Sequence, residues 1–247
     1  MCRIYLYLAF SLVTILSKSF VWAQKLDSKL EKKIQQEIQG FQGDIGIYIK
    51  SLKTGKVVSI HADTVFPTAS IVKVPILLGI MNKIEKKELD YHQKIYWVDT
   101  LNYDPGEDIV AYLKPQTAIE LSKVMMLMMT ISDNTGSLWL QALAGSGTTI
   151  NTLMNEWGFV QTKVNSRTPG REEARKIYGW GQSTPKEMAE IFEKIVNREL
   201  VSSDACERML RIMGRQYWDE EALSVIPPTV YVASKNGAVN ASRDEVL

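Results

Sequence analysis

The chain has 247 residues, 45% of them hydrophobic, with 29 Lys+Arg against 28 Asp+Glu and a formal charge of +1. That length and apolar content support one domain with its own core, and the near-neutral balance excludes a surface built to bind nucleic acid. No internal repeat at a period of roughly 20 to 50 residues and no low-complexity tract is present, which excludes solenoid and fibrous classes.

At the N-terminus Arg3 precedes the apolar run "IYLYLAFSLVTIL", and a polar break and "VWA" precede Gln24. This is the layout of a secretory leader cleaved after Ala23, too short to be preferred as a membrane span. The reading is an exported protein, periplasmic or secreted, with a leader over 1–23, a single domain over 24–247 and no stable membrane anchor. Loss of the leader removes Arg3 and Lys18, leaving 27 basic against 28 acidic side chains. Cys2 departs with it and Cys206 remains as a small buried side chain, so the exported chain has no intramolecular disulfide. Cys206, His61 and His92 offer no ligand cluster for zinc, and neither histidine is placed for a serine-histidine dyad.

"KLDSKLEKKIQQEIQGF" has helical periodicity closed by Gly40. "DIGIYIKSLKTGKVVSIHAD" alternates on either side of Lys53-Thr54-Gly55 and reads as a hairpin. A helix then runs from Ser70 through "IVKVPILLGIMNKIEKK", with Pro75 in or next to its first turn. In "TAIELSKVMMLMM", Thr117 and Glu120 have capping-box spacing, and the methionine-rich run predicts a buried central helix. Asn165 to Gln182 reads as a long loop containing Gly and Arg. Thr184, Pro185 and Glu187 announce another helix. "TVYVA" reads as an apolar strand that enters a turn, with a second strand beginning near the end. The fold class is therefore α+β, an antiparallel sheet built from both chain ends beside an all-helical lobe.

Ser70 and Lys73 stand one helical turn apart, which leaves Ser70 open as a nucleophile or as a cap. A serine needs a base within hydrogen-bond reach, and a lysine at i+3 supplies one if burial or a neighbouring cation frees its amine. Spacing alone decides little, because Ser183 and Lys186 repeat it in "STPK", a stretch that the helix start capped by Thr184 already explains structurally. Ser132-Asp133-Asn134 after the methionine-rich helix and Lys235-Asn236-Gly237 near the end add two further motifs in the same chain.

With "ASIVKVPIL" and "MTISDNTG" the sequence resembles the class A serine β-lactamases and, more broadly, the penicillin-recognising serine enzymes, over almost all of residues 24–247. The resemblance implies a β-lactamase-like fold and a serine hydrolase that opens a β-lactam amide with no metal and no organic cofactor. It implies Ser70 as nucleophile, Lys73 as base or relay, Ser132 as proton shuttle and Lys235 facing a substrate carboxylate. Asn134, Asn236, Gly237, Ala238, Arg243 and Tyr103 would line the substrate site, with Asp133 capping the next helix or bracing the loop. The backbone N–H of Ser70 and one near Ala238 would form the oxyanion hole.

Three departures matter. Asn236 stands where the family has Thr or Ser, which bears on substrate preference. In the long loop Arg167 matches the family's arginine, but Pro169 occupies the place of the glutamate that activates water. Glu172 or Glu173 would then serve as the deacylation base, or would form a solvated patch with Arg171 and Arg175. Elements that follow the "SRDEVL" strand in the family are expected to be missing from 24–247, leaving sheet edges unpaired. The substrate is expected to be a small β-lactam or a peptidoglycan-like peptide, taken by a monomer. Turnover, slow release as in a penicillin-binding or sensing relative, and an inactive truncated chain all remain open.

Overall fold

The computed structural model describes residues 25–99, 106, 108–240 and 242–247, so the expected leader and Tyr103 lie outside the described residues. β1 (Lys25–Leu26) precedes α1 (Ser28–Glu37), whose first turn is capped by Asp27 accepting from Leu30 N at 3.2 Å. β2 (Ile47–Lys50) and β3 (Lys56–Ile60) form the expected antiparallel hairpin, and β1 adds to β3 in parallel. Gly55, at φ +68°, supplies the left-handed residue that closes the hairpin turn.

The chain next forms β4 (Phe66–Pro67) and a single 3-10 turn, Ala69–Val72, before α2 (Lys73–Glu85). Pro75 is the third residue of α2, where its missing N–H leaves no hydrogen bond broken. Every residue from Lys73 to Met81 is buried, so α2 is the central helix of the lobe. Gly79 permits this packing, because a Cβ there would lie 3.0 Å from Ile150 Cγ1 and 3.2 Å from Ala144 Cβ.

β5 (Lys94–Tyr96) pairs with β6 (Ala118–Glu120), and α3 (Leu121–Thr130) follows directly. The capping box expected from Thr117 and Glu120 does not form. Strand pairing takes Ala118–Glu120, and the Glu120 carboxylate turns to His92 Nδ1 at 2.8 Å and to the Ser122 hydroxyl. The methionine-rich helix buries Met125, Met128 and Met129 but exposes Met126, so α2 rather than α3 is surrounded on all sides.

α4 (Asn134–Leu143) and α5 (Ser146–Glu156) complete the packing around α2. β7 (Lys163–Val164) and β8 (Gly181–Ser183) pair with each other, and β8 with β4; between β7 and β8 the long loop contains the short helix α6 (Glu172–Tyr178). α7 (Pro185–Val196) starts at Thr184, whose hydroxyl accepts from Glu187 N at 3.1 Å. The return half of that box is absent, because Glu187 instead accepts from the Gln161 and Thr162 amides and the Thr162 hydroxyl. α8 (Ser203–Met213) holds the buried Cys206, whose thiol donates to Leu200 O at 2.9 Å.

Thr229 to Ser234 is not the expected strand. Val230 N turns back to Pro227 O at 2.9 Å, and the ladder begins only at β9 (Lys235–Val239), paired antiparallel with β10 (Ser242–Val246). The two chain ends supply separate ladders among the described residues, β1-β3-β2 and β9-β10. α7 packs against both β2 and β10, and its buried Met188, Ile191, Phe192 and Ile195 join their cores to the helical lobe. Each such side chain contributes about 1.5 to 3 kcal/mol of transfer free energy, which explains how two short ladders are held beside the helices.

Candidate active site

Four elements meet at one amine. The 3-10 turn carries Ser70, α2 begins with Lys73, the turn after α3 carries Ser132, and α4 begins with Asn134. Lys73 Nζ lies 2.9 Å from Ser70 Oγ, 2.9 Å from Ser132 Oγ, 2.6 Å from Ser132 O and 2.7 Å from Asn134 Oδ1. Ser70 is not a helix cap, since its hydroxyl is engaged by Lys73 and the residue before α2 is Val72.

The oxygen count around Lys73 favours a base. Ser132 O and Asn134 Oδ1 can only accept, whereas the two hydroxyls can also donate. A neutral amine gives its two N–H groups to the carbonyl oxygens and keeps its lone pair for the proton of Ser70 or Ser132. Burial pushes the Lys73 amine well below the usual lysine range, and Lys235 acts in the same direction, while Asp108 and Asp133 oppose it. Desolvation thus gives Lys73 the character of a proton acceptor within hydrogen-bond reach of Ser70 Oγ.

Lys235, also fully buried, starts β9. Its Nζ donates to Asn236 O at 2.7 Å and Asn236 Oδ1 at 3.1 Å, so the substitution at 236 places an acceptor on the cation expected to meet a substrate carboxylate. Burial lowers its pKa from 10.5 to about 7, against the pull of Glu245 and Glu221. The unfolded chain therefore binds more protons than the folded one between about pH 7 and 10.5, so stability rises with pH across that window, by up to about 1.4 kcal/mol per pH unit. Lys235→Met is expected to be more stable than the parent at pH 7, with the gap narrowing toward pH 10.5 in urea titrations. A gap independent of pH would contradict this.

β9 lies directly on the turn that carries Ser70. A Cβ on Gly237 would come within 2.7 Å of Thr68 O and 2.9 Å of Ser70 N, both backbone atoms, so only glycine lets the strand approach the Ser70 amide this closely. Gly237→Ala is expected to keep the fold but slow acylation roughly 10- to 100-fold, measured by stopped flow; a rate equal to that of the parent would sink the argument. Ala69 at φ +40° and Ser132 at φ +64° are non-glycine residues in left-handed backbone, one beside Ser70 and one within the Lys73 cluster.

Asp133 caps α4 by accepting from Gly136 N at 2.6 Å and braces the preceding segment by accepting from Val110 N at 2.9 Å, as its sequence position suggested. Ala238 pairs with Arg243 across the β9-β10 ladder. Arg243 itself is exposed and turned to its own hairpin, donating to Ser242 O at 2.9 Å, so it is not brought to the Lys73 cluster. Glu172 and Glu173 are not brought there either. Both are exposed in the first turn of α6, Glu172 accepting from Gly170 N at 3.1 Å and Glu173 paired with Lys176 at 2.6 Å, so the expected patch with Arg171 and Arg175 does not form as such and neither carboxylate is aimed at Ser70. Pro169 is exposed, and the loop is tied down instead through Arg171, which reaches Asn165 Oδ1 at 2.9 Å and Gln182 Oε1 at 2.6 Å. Among the described residues no carboxylate hydrogen-bonds Ser70 or Lys73.

The residue that sequence reasoning missed is Asp108, 3% exposed, whose carboxylate accepts from Asn134 N, Thr135 N and Thr135 Oγ1. In "DPGEDIV" it is one of three acids in a turn-like stretch, and nothing there marks it as buried.

The sequence profile described as the beta-lactamase enzyme family matches residues 29–246. Beta-lactamase VEB-1 of Pseudomonas aeruginosa is 24% identical over 92% of this chain and 78% of its own length. A "beta-lactamase regulatory protein BlaB" of Streptomyces cacaoi is 28% identical over 45% of this chain and 35% of its own length. Among solved structures, a PBP-A variant in acyl-enzyme complex with penicillin-G superposes with a TM-score of 0.80 at 25% identity, over 90% of this chain and 82% of that one. TLA-1 extended-spectrum beta-lactamase superposes at 0.78 with 15% identity, over 87% of this chain and 79% of that one, a likeness of fold.

Proposed function

The chain belongs to the beta-lactamase enzyme family, and from that premise we propose that this β-lactam-acting serine hydrolase opens the lactam ring through an acyl-Ser70 intermediate, in the manner of the class A enzymes. The observation that carries the reading is the Lys73 amine held within 2.9 Å of the hydroxyls of both Ser70 and Ser132. Ser70 Oγ attacks the lactam carbonyl carbon as its proton passes to Lys73. The developing oxyanion is received by the N–H of Ser70 and that of Ala238, each such donor worth roughly 3 to 4 kcal/mol in the transition state. As the C–N bond breaks, Ser132 gives its proton to the departing nitrogen and recovers one from Lys73. Lys235 meets a substrate carboxylate in place of the Asn236 oxygen, and Asn134 faces the substrate's amide side chain. Water then hydrolyses the ester. The leader-like residues 1–23 support export as the route to the site of action.

A second reading, that the acyl-enzyme persists as in a penicillin-binding or sensing relative, is favoured by the outward placement of Glu172 and Glu173. The likeness to a PBP-A acyl-enzyme complex supports it too. Ring opening of benzylpenicillin in excess, followed against time, separates the two. Many turnovers per enzyme support the hydrolytic reading. A burst of one equivalent followed by a slow phase supports the persistent adduct, and acceleration of that phase by an added amine points to a peptidase-like relative. Ring opening no faster than with Ser70→Ala overturns both.

A further inference from the structure

We infer that Asp108 is a positioning residue for the Ser70 reaction, its buried carboxylate fixing the first two amides of α4 and so holding Ser132 and Asn134 against the Lys73 amine. The inference rests on the reading of Ser70 as an acylated nucleophile, and nothing in the motifs points to it.

The amides at the start of a helix have no partner within the helix. In α4 they are divided between two carboxylates. Asp133 takes Gly136 N, while Asp108 Oδ1 takes Asn134 N at 2.8 Å and Asp108 Oδ2 takes Thr135 N at 2.8 Å and Thr135 Oγ1 at 2.7 Å. Asp133 also accepts from Val110 N at 2.9 Å. The 108–110 segment and the 133–136 turn therefore clasp each other with crossed carboxylates. The clasp lies immediately beside Ser132, whose φ of +64° is a conformation that a non-glycine residue keeps only where its surroundings impose it. Ser132 and Asn134 flank Asp133 and supply three of the four oxygens around Lys73 Nζ, so a slip of this turn would disperse the acceptors that orient the base.

The charge acts in addition to the hydrogen bonds. The ionisable groups bearing on Lys73 are Lys235 from β9, Asp108 from the clasp segment and Asp133 from the turn, the two carboxylates favouring the protonated amine. Removing the Asp108 charge allows Lys73 to shed its proton at lower pH. Replacement by asparagine also leaves one carbonyl oxygen where three donors converge.

The test is Asp108→Asn, with Thr135→Val as a milder variant that keeps the charge and deletes one hydroxyl donor. The acylation rate constant of Asp108→Asn with benzylpenicillin is expected to fall roughly 10- to 100-fold near neutral pH. Its acid limb is expected to move to lower pH. Thr135→Val is expected to lose less and leave the limb in place. A merely structural role would lower the folded fraction without moving the limb, so an unchanged rate or an unmoved limb in Asp108→Asn overturns the inference. Amide hydrogen exchange at Asn134 and Thr135 needs no β-lactam: faster exchange in Asp108→Asn is expected, and exchange equal to the parent's overturns the clasp. If the parent protein is not acylated at all, the Ser70 reading fails while the exchange measurement still decides the clasp.

Discussion

Ser70→Ala is expected to lower the rate of β-lactam ring opening on the order of 10⁴- to 10⁶-fold, because it deletes the atom that forms the ester and leaves only binding and oxyanion stabilisation. The fold should survive intact. Ser70 Oγ is one of four oxygens around Lys73 Nζ, and the remaining three keep that amine hydrogen-bonded. Removing a polar group from a catalytic cluster often stabilises, so the melting temperature should equal or slightly exceed that of the parent. Hydrolysis assays paired with thermal melts check both halves. Residual ring opening within about tenfold of the parent would place the nucleophile elsewhere.

Lys73→Met is expected to slow acylation by roughly 10² to 10⁴-fold, the usual contribution of a positioned general base. Methionine approximates the length of the lysine stem, so the loss reports the amine and not a cavity. The pH profile is the sharper readout. In the parent, acylation should rise with pH as Lys73 gives up its proton, at a pH well below the ordinary lysine range because burial and Lys235 disfavour the charge. The variant should lack that rise. A profile with the same acid limb in Lys73→Met would show that another group accepts the serine proton.

Much of the site was legible because its chemistry is local. Ser70 and Lys73 are one turn apart and Ser132 and Asn134 flank a single residue, so short windows of sequence fix their relative geometry once each turn forms. The hairpin was legible for the same reason, through strict alternation and a glycine that turns the chain at φ +68°. What escaped depends on distant partners. Asp108 meets amides 26 and 27 residues away, and only tertiary packing turns one acid of a polar stretch into a buried clasp. Glu120 left its expected capping role because β5 recruited its strand, and Glu187 left half of its box because two amides at 161 and 162 offered better partners. The outward aim of Arg243, Glu172 and Glu173 likewise follows from neighbours that composition does not reveal. The long loop was recognised as a unit, but its seven-residue helix was not, being too short to show periodicity.

Acylation of Ser70 by a β-lactam is open to intact-mass spectrometry of the folded protein mixed with benzylpenicillin, followed from seconds to hours with peptide mapping. A mass increase of one opened penicillin is expected, located on the peptide containing Ser70 and absent from Ser70→Ala. A protein whose circular dichroism shows it folded, yet which carries no adduct and opens no ring, or which carries the adduct on another residue, would contradict it.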